Sequence, residues 1–130
     1  MYFLLFKAKN PRASGTPYRI FFNGDYNEAN YYTQDLWVGG TAVNGARVNR
    51  SQILYLLNGT DGFCEALIMR SIDGFPQVIS RGIRYHGPTI SMMSDVITRE
   101  VAGNVTTLRI SSQVAGAIGA GSKLLLYKVT

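Results

Sequence analysis

The sequence predicts an all-β fold, namely a single antiparallel β-sandwich, jelly-roll-like, with about eight strands and one domain spanning residues 1–130. Short runs rich in β-branched and aromatic residues alternate with turn signals built on glycine and asparagine, and the chain contains 14 glycines. This spacing is typical of sandwiches and barrels. A chain of 130 residues is also long enough to bury a core without disulfides.

The turn signals divide the chain into apolar runs that define the expected strands. Strands are predicted near residues 2–8, 17–22, 51–57, 63–71, 77–86, 90–100, 105–112 and 122–129. The period of two that marks a half-buried strand is clearest in 63–68, 79–85 and 105–110. The side chains expected to share one side of a strand are Tyr18, Ile20 and Phe22 in one case, and Cys64, Ala66 and Ile68 in another.

Both ends of the chain are apolar strands, and pairing them with each other closes a sheet and ties down both termini. The last strand has apolar residues at consecutive positions, so we expect both of its faces to be buried. The N-terminal apolar run is much shorter than a membrane span and lacks the pattern of a signal peptide. We therefore predict no membrane association.

Helix signals are weak. The stretches from Asn27 to Leu36 and from Gln113 to Ile118 each have room for one short helical turn. Neither carries an apolar stripe with helical spacing, so strands and loops are expected to dominate.

The basic residues are dispersed along the chain. Thirteen basic against eight acidic residues give a net charge of +5, and no dense basic run resembles a nucleic-acid-binding arm. We therefore predict no direct nucleic-acid partner. Several basic residues occupy alternate strand positions, which indicates a solvated sheet face. The alternative is an electropositive face that meets an acidic neighbour, DNA or an anionic glycan.

Few residues are suited to catalysis. Cys64, the only cysteine, lies in an apolar stretch and is predicted to be a small buried side chain, while the only histidine, His86, precedes a Gly-Pro turn. A Cys64–His86 dyad has no flanking support, and no metal-ligand spacing is present. Asp25 and Glu28 form the only close acidic cluster and are predicted to lie in a surface turn. A hydrolase that uses this pair is the weakest hypothesis, and we predict a non-enzymatic protein without cofactors.

The glycine-rich stretch from Gly116 to Lys123 has the composition of a phosphate-binding loop. Ser122 precedes Lys123, which reverses the order in that motif, and a strand follows where a helix N-terminus is required. We predict a loop that leads into the last strand.

An aromatic group in a polar segment has two interpretations. Tyr26, Tyr31, Tyr32 and Trp37 lie close together in the sequence. One interpretation is packing beneath a long loop. The other is a contact surface for a sugar ring or another protein chain, because Tyr and Trp combine a large apolar area with a polar group.

Three segments, taken together, carry a family resemblance. They are the run Phe22-Asn23-Gly24-Asp25 followed by Asn30-Tyr31, the stretch from Ile68 to Tyr85 with a turn at Asp73-Gly74, and the run from Ala120 through Gly121-Ser122 to Leu126-Tyr127. In this order, and over nearly the whole chain, they resemble a β-sandwich domain of virion proteins from tailed bacteriophages. Lys128 departs from the pattern, because the family usually has glycine after the final Leu-Tyr.

The resemblance implies a virion component. Such domains occur in capsid decoration (cement) proteins, head fibres and tail-fibre tips, and they are often trimeric. It therefore implies a homotrimer on the capsid surface that contacts the major capsid protein or other virion proteins. The chain starts at the first strand without a stalk, which favours decoration over a fibre. The alternative is a tail- or head-fibre module that recognises a host surface glycan through the aromatic group.

Overall fold

Ten antiparallel strands make up most of the chain, which confirms the predicted all-β sandwich. The computed structural model describes residues 1–86 and 89–129, and within that range the side chains of residues 85–89 are not described. The strands are β1 (Tyr2–Lys9), β2 (Thr16–Phe22), β3 (Tyr31–Gly39), β4 (Ala42–Val48), β5 (Gln52–Leu56), β6 (Asp61–Arg70), β7 (Pro76–His86), β8 (Thr89–Arg99), β9 (Leu108–Ser112) and β10 (Lys123–Lys128).

The strands form one wide sheet and one narrow sheet. The wide sheet has seven strands in the order β10-β1-β6-β7-β8-β3-β4, and the narrow sheet has three in the order β5-β2-β9. The two terminal strands pair along their length, from Tyr2 opposite Lys128 to Lys7 opposite Lys123. The prediction that the two ends close a sheet together is therefore confirmed.

The core lies between the two sheets. The residues predicted to share one side of a strand are buried together, which confirms both predictions. They are Tyr18, Ile20 and Phe22 in β2, and Cys64, Ala66 and Ile68 in β6. Further core side chains are Leu4, Phe6 and Ala8 from β1, Ile53, Leu54 and Leu56 from β5, Val78 from β7 and Ile97 from β8. Cys64 is a buried free cysteine, as predicted. Gly82 lets β5 approach β7 closely, because an added Cβ would lie 3.0 Å from a methyl carbon of Leu54.

The hairpin formed by β3 and β4 was not predicted. The segment expected to hold a helical turn has only a short 3₁₀ turn at Glu28–Asn30 before β3 begins. The inward positions of β3 include the polar Thr33 and Asp35, whereas Leu36 points outward. This strand therefore lacks the alternation that identifies a half-buried strand. The second expected helical turn, from Gln113 to Ile118, consists of turns and bends without helix.

The prediction that the last strand is buried on both faces was wrong. The apolar side chains of β10 are about half exposed, with Leu124 at 47% and Leu125 at 50%. This strand is at the edge of the wide sheet and pairs only with β1, while β5 of the narrow sheet packs over β6, β7 and β8. The narrow sheet is thus centred away from β10.

A tight turn after β2 fastens this end of the sandwich. Asn23 and Gly24 have φ angles of 55° and 71°, and the Asp25 amide donates to the Phe22 carbonyl at 3.0 Å, as in a type I′ turn. The Asp25 carboxylate accepts hydrogen bonds from the Asn27 amide at 3.2 Å and from Arg99 Nε at 2.9 Å. Asp25 therefore caps the Asn27 amide and pairs with Arg99. Partial burial acts to raise the pKa of Asp25, but hydrogen bonds from Asn30 and Arg99 hold it below its usual value.

We predict that Asp25→Ala lowers the free energy of unfolding by about 3 kcal/mol, because it leaves the buried Arg99 guanidinium without its counter-charge. Arg99 is only 6% exposed. Urea denaturation would measure the loss, and Asp73→Ala in an exposed turn is the control. Equal stability of both variants would show that the pair does not hold this end of the fold.

Candidate functional site

The outer face of the wide sheet, which points away from the narrow sheet, is lined by large apolar side chains. Strand pairing places them in three rows that cross the sheet. The first row contains Tyr127, Phe3, Leu67, Ile79, Val96, Gln34 and Arg47; the second contains Leu125, Leu5, Glu65, Arg81, Ser94, Leu36 and Gly45; the third contains Lys123, Lys7, Phe63, Ile83, Met92, Val38 and Val43. We call these three rows the outer apolar face.

The outer apolar face is extensive, although polar positions interrupt it. Strands lie about 4.8 Å apart and alternate residues about 6.8 Å apart, so three rows across seven strands cover roughly 700 Å², of which the apolar positions account for roughly 400 Å². Central members are substantially accessible, with Ile79 at 48% and Met92 at 50%. The largest apolar patch of an ordinary monomer is about 300–600 Å², and such a patch is often functional. The apolar part of this face falls within that range.

One ion pair interrupts the middle of the outer apolar face. Arg81 Nη2 lies 2.6 Å from Glu65 Oε1 across the β6–β7 pairing. The Arg81 side chain is 71% exposed, so solvent weakens the attraction within one chain. The centre of the face thus presents one positive and one negative group side by side, while Lys7, Lys123 and Arg47 lie in its two outer rows.

A second feature lies inside the sandwich, where two aspartates face each other. Asp35 on β3 is directly opposite Asp95 on β8, and the two are 2% and 1% exposed. Arg50 Nη2 donates to Asp35 Oδ2 at 2.7 Å. Burial, together with the neighbouring Asp35 carboxylate, raises the pKa of Asp95 to about 9. At neutral pH the pair therefore holds one proton in addition to the Arg50 charge.

The sequence does not indicate this acidic pair, because it places only Asp25 and Glu28 in a close acidic cluster. Asp35 and Asp95 are far apart along the chain, and only the β3–β8 pairing brings them together. Each occupies an inward strand position, where an apolar residue is usual. A polar residue there indicates a possible site only after the strand and its inward side are known.

A pocket of about 260 Å³ opens beside Asp35 at the margin of the sandwich. Its lining residues are Asp35, Trp37, Arg50, Gln52, Tyr55, Arg84 and Met93. Asp35, Gln52 and Met93 are buried and form its floor, whereas the aromatic and arginine side chains are partly exposed and form its rim. We call this the rim pocket.

The floor of the rim pocket carries polar atoms that the fold does not satisfy. Asp35 Oδ1 and Gln52 Oε1 have no hydrogen-bond partner among residues 1–86 and 89–129, and neither has Arg50 Nε at the rim. A buried polar group without a partner costs about 1–3 kcal/mol. Only one member of the acidic pair, Asp35, lines the pocket in the described part of the chain. The unpaired atoms are themselves buried, so a ligand in the pocket would not reach them without movement of the side chains.

The four aromatic residues predicted to form a contact surface do not share one surface. Tyr31 is fully buried, and its hydroxyl donates to the Asp25 carbonyl at 2.9 Å, so the packing interpretation is correct for this residue. Tyr26 is 52% exposed, with the Arg109 guanidinium 4.9 Å from its ring centroid. Tyr32 and Trp37 lie at positions of opposite parity on β3, and Trp37 lies on the inward side at the rim pocket.

The remaining candidate residues have structural environments. Glu28 pairs with Arg19 at 2.6 Å, and Asp25 is held by Arg99, so each carboxylate of this cluster faces an arginine. Burial raises the pKa of the Cys64 thiol to about 12, which disfavours the thiolate at neutral pH. The side chain of His86 lies outside the described residues, so its relation to Cys64 stays a prediction.

The described residues contain neither a metal-binding cluster nor a membrane-spanning helix. Among the described residues, no three His, Cys, Asp or Glu side chains converge in a way that could hold a metal ion. Over the same part of the chain, no helix has the length and apolar character needed to cross a membrane. The glycine-rich stretch before β10 adopts turns and bends, as predicted for a loop.

We predict that Asp95→Asn stabilises the protein by about 1–3 kcal/mol at pH 8 and removes most of its pH dependence. The pKa of about 9 in the folded chain exceeds the ordinary value of 3.8. The folded state therefore holds an extra proton between these values, and stability falls as pH rises from about 4 to about 9. An asparagine cannot ionise and can donate to Asp35. Urea denaturation across this pH range is the measurement.

The control for this prediction is Asp61→Asn, because Asp61 is exposed on β6. This variant is expected to keep the pH dependence of the original chain. A parallel pH profile for Asp95→Asn and the original chain would contradict the assignment of the retained proton to the buried pair.

The chain matches no protein-family model, no curated protein and no solved structure. The resemblance to phage virion domains therefore stays a prediction, supported by the sequence motifs alone. The interpretation of the outer apolar face and of the rim pocket rests on the residues and geometry described above.

Proposed function

We propose that this chain is a structural subunit of a tailed-bacteriophage virion, most specifically a decoration (cement) protein that binds the outer capsid surface and stabilises the head. The observation that carries the structural part of this proposal is the outer apolar face, whose apolar positions cover roughly 400 Å². With its polar positions the face covers roughly 700 Å², close to the about 800 Å² that each partner contributes to a stable protein interface. The virion part is supported by the sequence motifs that resemble phage sandwich domains.

The partner that this face fits best is another copy of the chain, in a closed trimer that contacts the capsid through its remaining surfaces. Burial of the apolar rows between copies supplies the favourable free energy. Glu65 and Arg81 support self-association, because each copy offers both charges at the centre of the face. In a closed cyclic trimer the contacts are head-to-tail, so Arg81 of one copy can meet Glu65 of the next around the ring.

Recognition of a host surface glycan is the second candidate function. It is favoured by a specific observation, the rim pocket, which is lined by two partly exposed aromatic side chains, Trp37 and Tyr55. Of the four aromatic residues first considered for glycan contact, Trp37 alone lines this pocket.

We predict that the purified chain is a trimer and that Ile79→Lys converts it to a folded monomer. Ile79 lies in the first row between Leu67 and Val96, so a lysine there would place a charge inside the interface. Its side chain is already about half exposed in one chain, so a cooperative melt should persist. Light scattering coupled to size-exclusion chromatography gives the oligomeric state.

Ile72→Lys is the matched control, because Ile72 is fully exposed in the turn between β6 and β7, outside the three rows. This variant should remain trimeric. If the original chain is a monomer at micromolar concentration, the proposed self-association through the outer apolar face is wrong.

The virion assignment has its own test, which is the position and number of copies on purified particles. Decoration predicts tens to hundreds of copies on the head, and particles that lack the protein should lose their contents at lower temperature. If only a few copies are found, all at the tail tip, the decoration hypothesis is wrong and the fibre hypothesis is favoured.

A further inference from the structure

We propose that the free edge of β10 binds an extended polypeptide segment of another protein, apolar at its centre and acidic at both ends, which adds a strand to the wide sheet. This inference goes beyond the proposed function, because it concerns the edge of the sheet and not the outer apolar face. Among the described residues, β10 pairs with β1 alone. Its other side therefore presents backbone groups to which a further strand can bond.

The backbone groups on the free side of β10 follow from its pairing with β1. Val129 donates its amide hydrogen to the Met1 carbonyl at 2.9 Å, and successive residues of a strand direct their N–H and C=O groups to alternate sides. Leu124, Leu126 and Lys128 therefore direct these groups away from β1. An extended polypeptide supplies matching acceptors and donors at the same repeat, so this edge selects a peptide strand.

The centre of β10 is apolar on both faces of the sheet. Leu124 and Leu126 lie on the inward side, beyond the narrow sheet, and Leu125 and Tyr127 lie on the outward side. All four side chains are about half exposed. Side chains at facing positions of paired strands lie about 5 Å apart and contact each other. An added strand with apolar residues on both faces would therefore cover part of all four.

The opposite edge of the wide sheet is built differently. Within its length, β4 carries Asn44, Gly45 and Arg47, and charged side chains and glycine weaken pairing along an edge. In β10 the charges stand at the two ends, Lys123 and Lys128, with only apolar and aromatic residues between them. The apolar centre of β10 is therefore suited to pairing in a way that β4 is not.

The charge of this edge specifies an acidic partner. All four lysines of the chain, Lys7, Lys9, Lys123 and Lys128, lie on β1 and β10, and neither strand contains an acidic residue. All four are exposed, and none forms a salt bridge within the described part of the chain. Lys7 and Lys123 face each other in the β1–β10 register. Opposite charges at facing positions stabilise a sheet, whereas like charges destabilise it.

A second copy of β10 suits this edge less well than an acidic segment does. Pairing of two such edges would bring four lysines from each copy onto four adjacent strands without an acidic residue. Asp61 on β6 lies opposite Lys9, but it is one strand further from the edge. An acidic segment instead places one carboxylate beside Lys123 and another beside Lys128, with four apolar residues between them.

The test uses a labelled synthetic peptide in which four alternating valines and leucines lie between glutamates. Fluorescence anisotropy with the full-length protein should give a dissociation constant on the order of 10⁻⁵ M. Raising the salt concentration from about 0.05 M to about 0.5 M should weaken binding, because the paired charges are exposed. A peptide with the same centre between lysines, and polyglutamate of equal length, should each bind about tenfold more weakly or less.

Leu126→Pro tests the backbone pairing, because it removes an N–H that points away from β1 and leaves the β1–β10 hydrogen bonds in place. It should keep a cooperative melt and weaken peptide binding about tenfold. Lys7→Glu combined with Lys123→Glu keeps like charges at facing positions, and it decides the matter if Leu126→Pro does not fold. It should weaken binding of the glutamate-flanked peptide about tenfold and strengthen binding of the lysine-flanked one. Arg47→Glu, a charge reversal on β4, is the control and should leave the titration unchanged.

Hydrogen exchange measured by NMR locates the bound peptide. The amides of Leu124, Leu126 and Lys128 should exchange rapidly in the free chain and become protected when the glutamate-flanked peptide binds. Repeating the measurement in Ile79→Lys separates this edge from assembly through the outer apolar face.

Three results would overturn the proposal. Protection of the three amides without peptide in Ile79→Lys would assign the edge to a second copy. Equal binding of polyglutamate would show general attraction of polyanions and not strand addition. Absence of binding, or binding that survives both Leu126→Pro and the double lysine variant, would exclude β10 as the site.

Discussion

The packing of a seven-stranded sheet against a three-stranded sheet governs the rest of this structure. A sheet buries one apolar face against a partner, but the narrow sheet has fewer than half the strands of the wide one. Its β5 packs over β6, β7 and β8, which leaves the two ends of the inward face less covered. The outward face has no layer over it in the described part of the chain. Both candidate sites follow from this difference in width.

At one end of the inward face, the wide sheet extends beyond the narrow one on the side of β3 and β4. There the inward residues are polar, including Thr33 and Asp35, and the sheets separate enough to leave the rim pocket. The buried pair of Asp35 and Asp95 is tolerated because Arg50 and one retained proton limit the charge. The polar end of the sandwich therefore lies beside a well-packed apolar core rather than inside it.

The outward face of the seven-stranded sheet carries an extended apolar surface instead of a pocket. The β6–β7–β8 strands place Phe63, Ile83 and Met92 in one row, and the edge strand β10 adds Leu125 and Tyr127 at one margin. Exposed apolar surfaces of this kind often mark sites of association. The outer apolar face and the rim pocket lie on opposite sides of the wide sheet.

The sequence by itself determined the all-β class, the approximate positions of eight strands, the pairing of the two chain ends and the burial of Cys64. These features follow from local patterns, because side-chain alternation and turn residues act over a few positions. The β3–β4 hairpin was not predictable in the same way, since polar Thr33 and Asp35 point inward and remove the pattern.

Only the tertiary structure decided which side of each strand faces the core and which residues meet across strands. In β7 the small residues Ser80 and Gly82 face inward, while Ile79 and Ile83 face outward, so the hydrophobic side of this strand is not the buried side. Likewise, Asp35 and Asp95 become neighbours only through the β3–β8 pairing. Strand order and register depend on contacts between distant segments, and a local pattern carries no information about them.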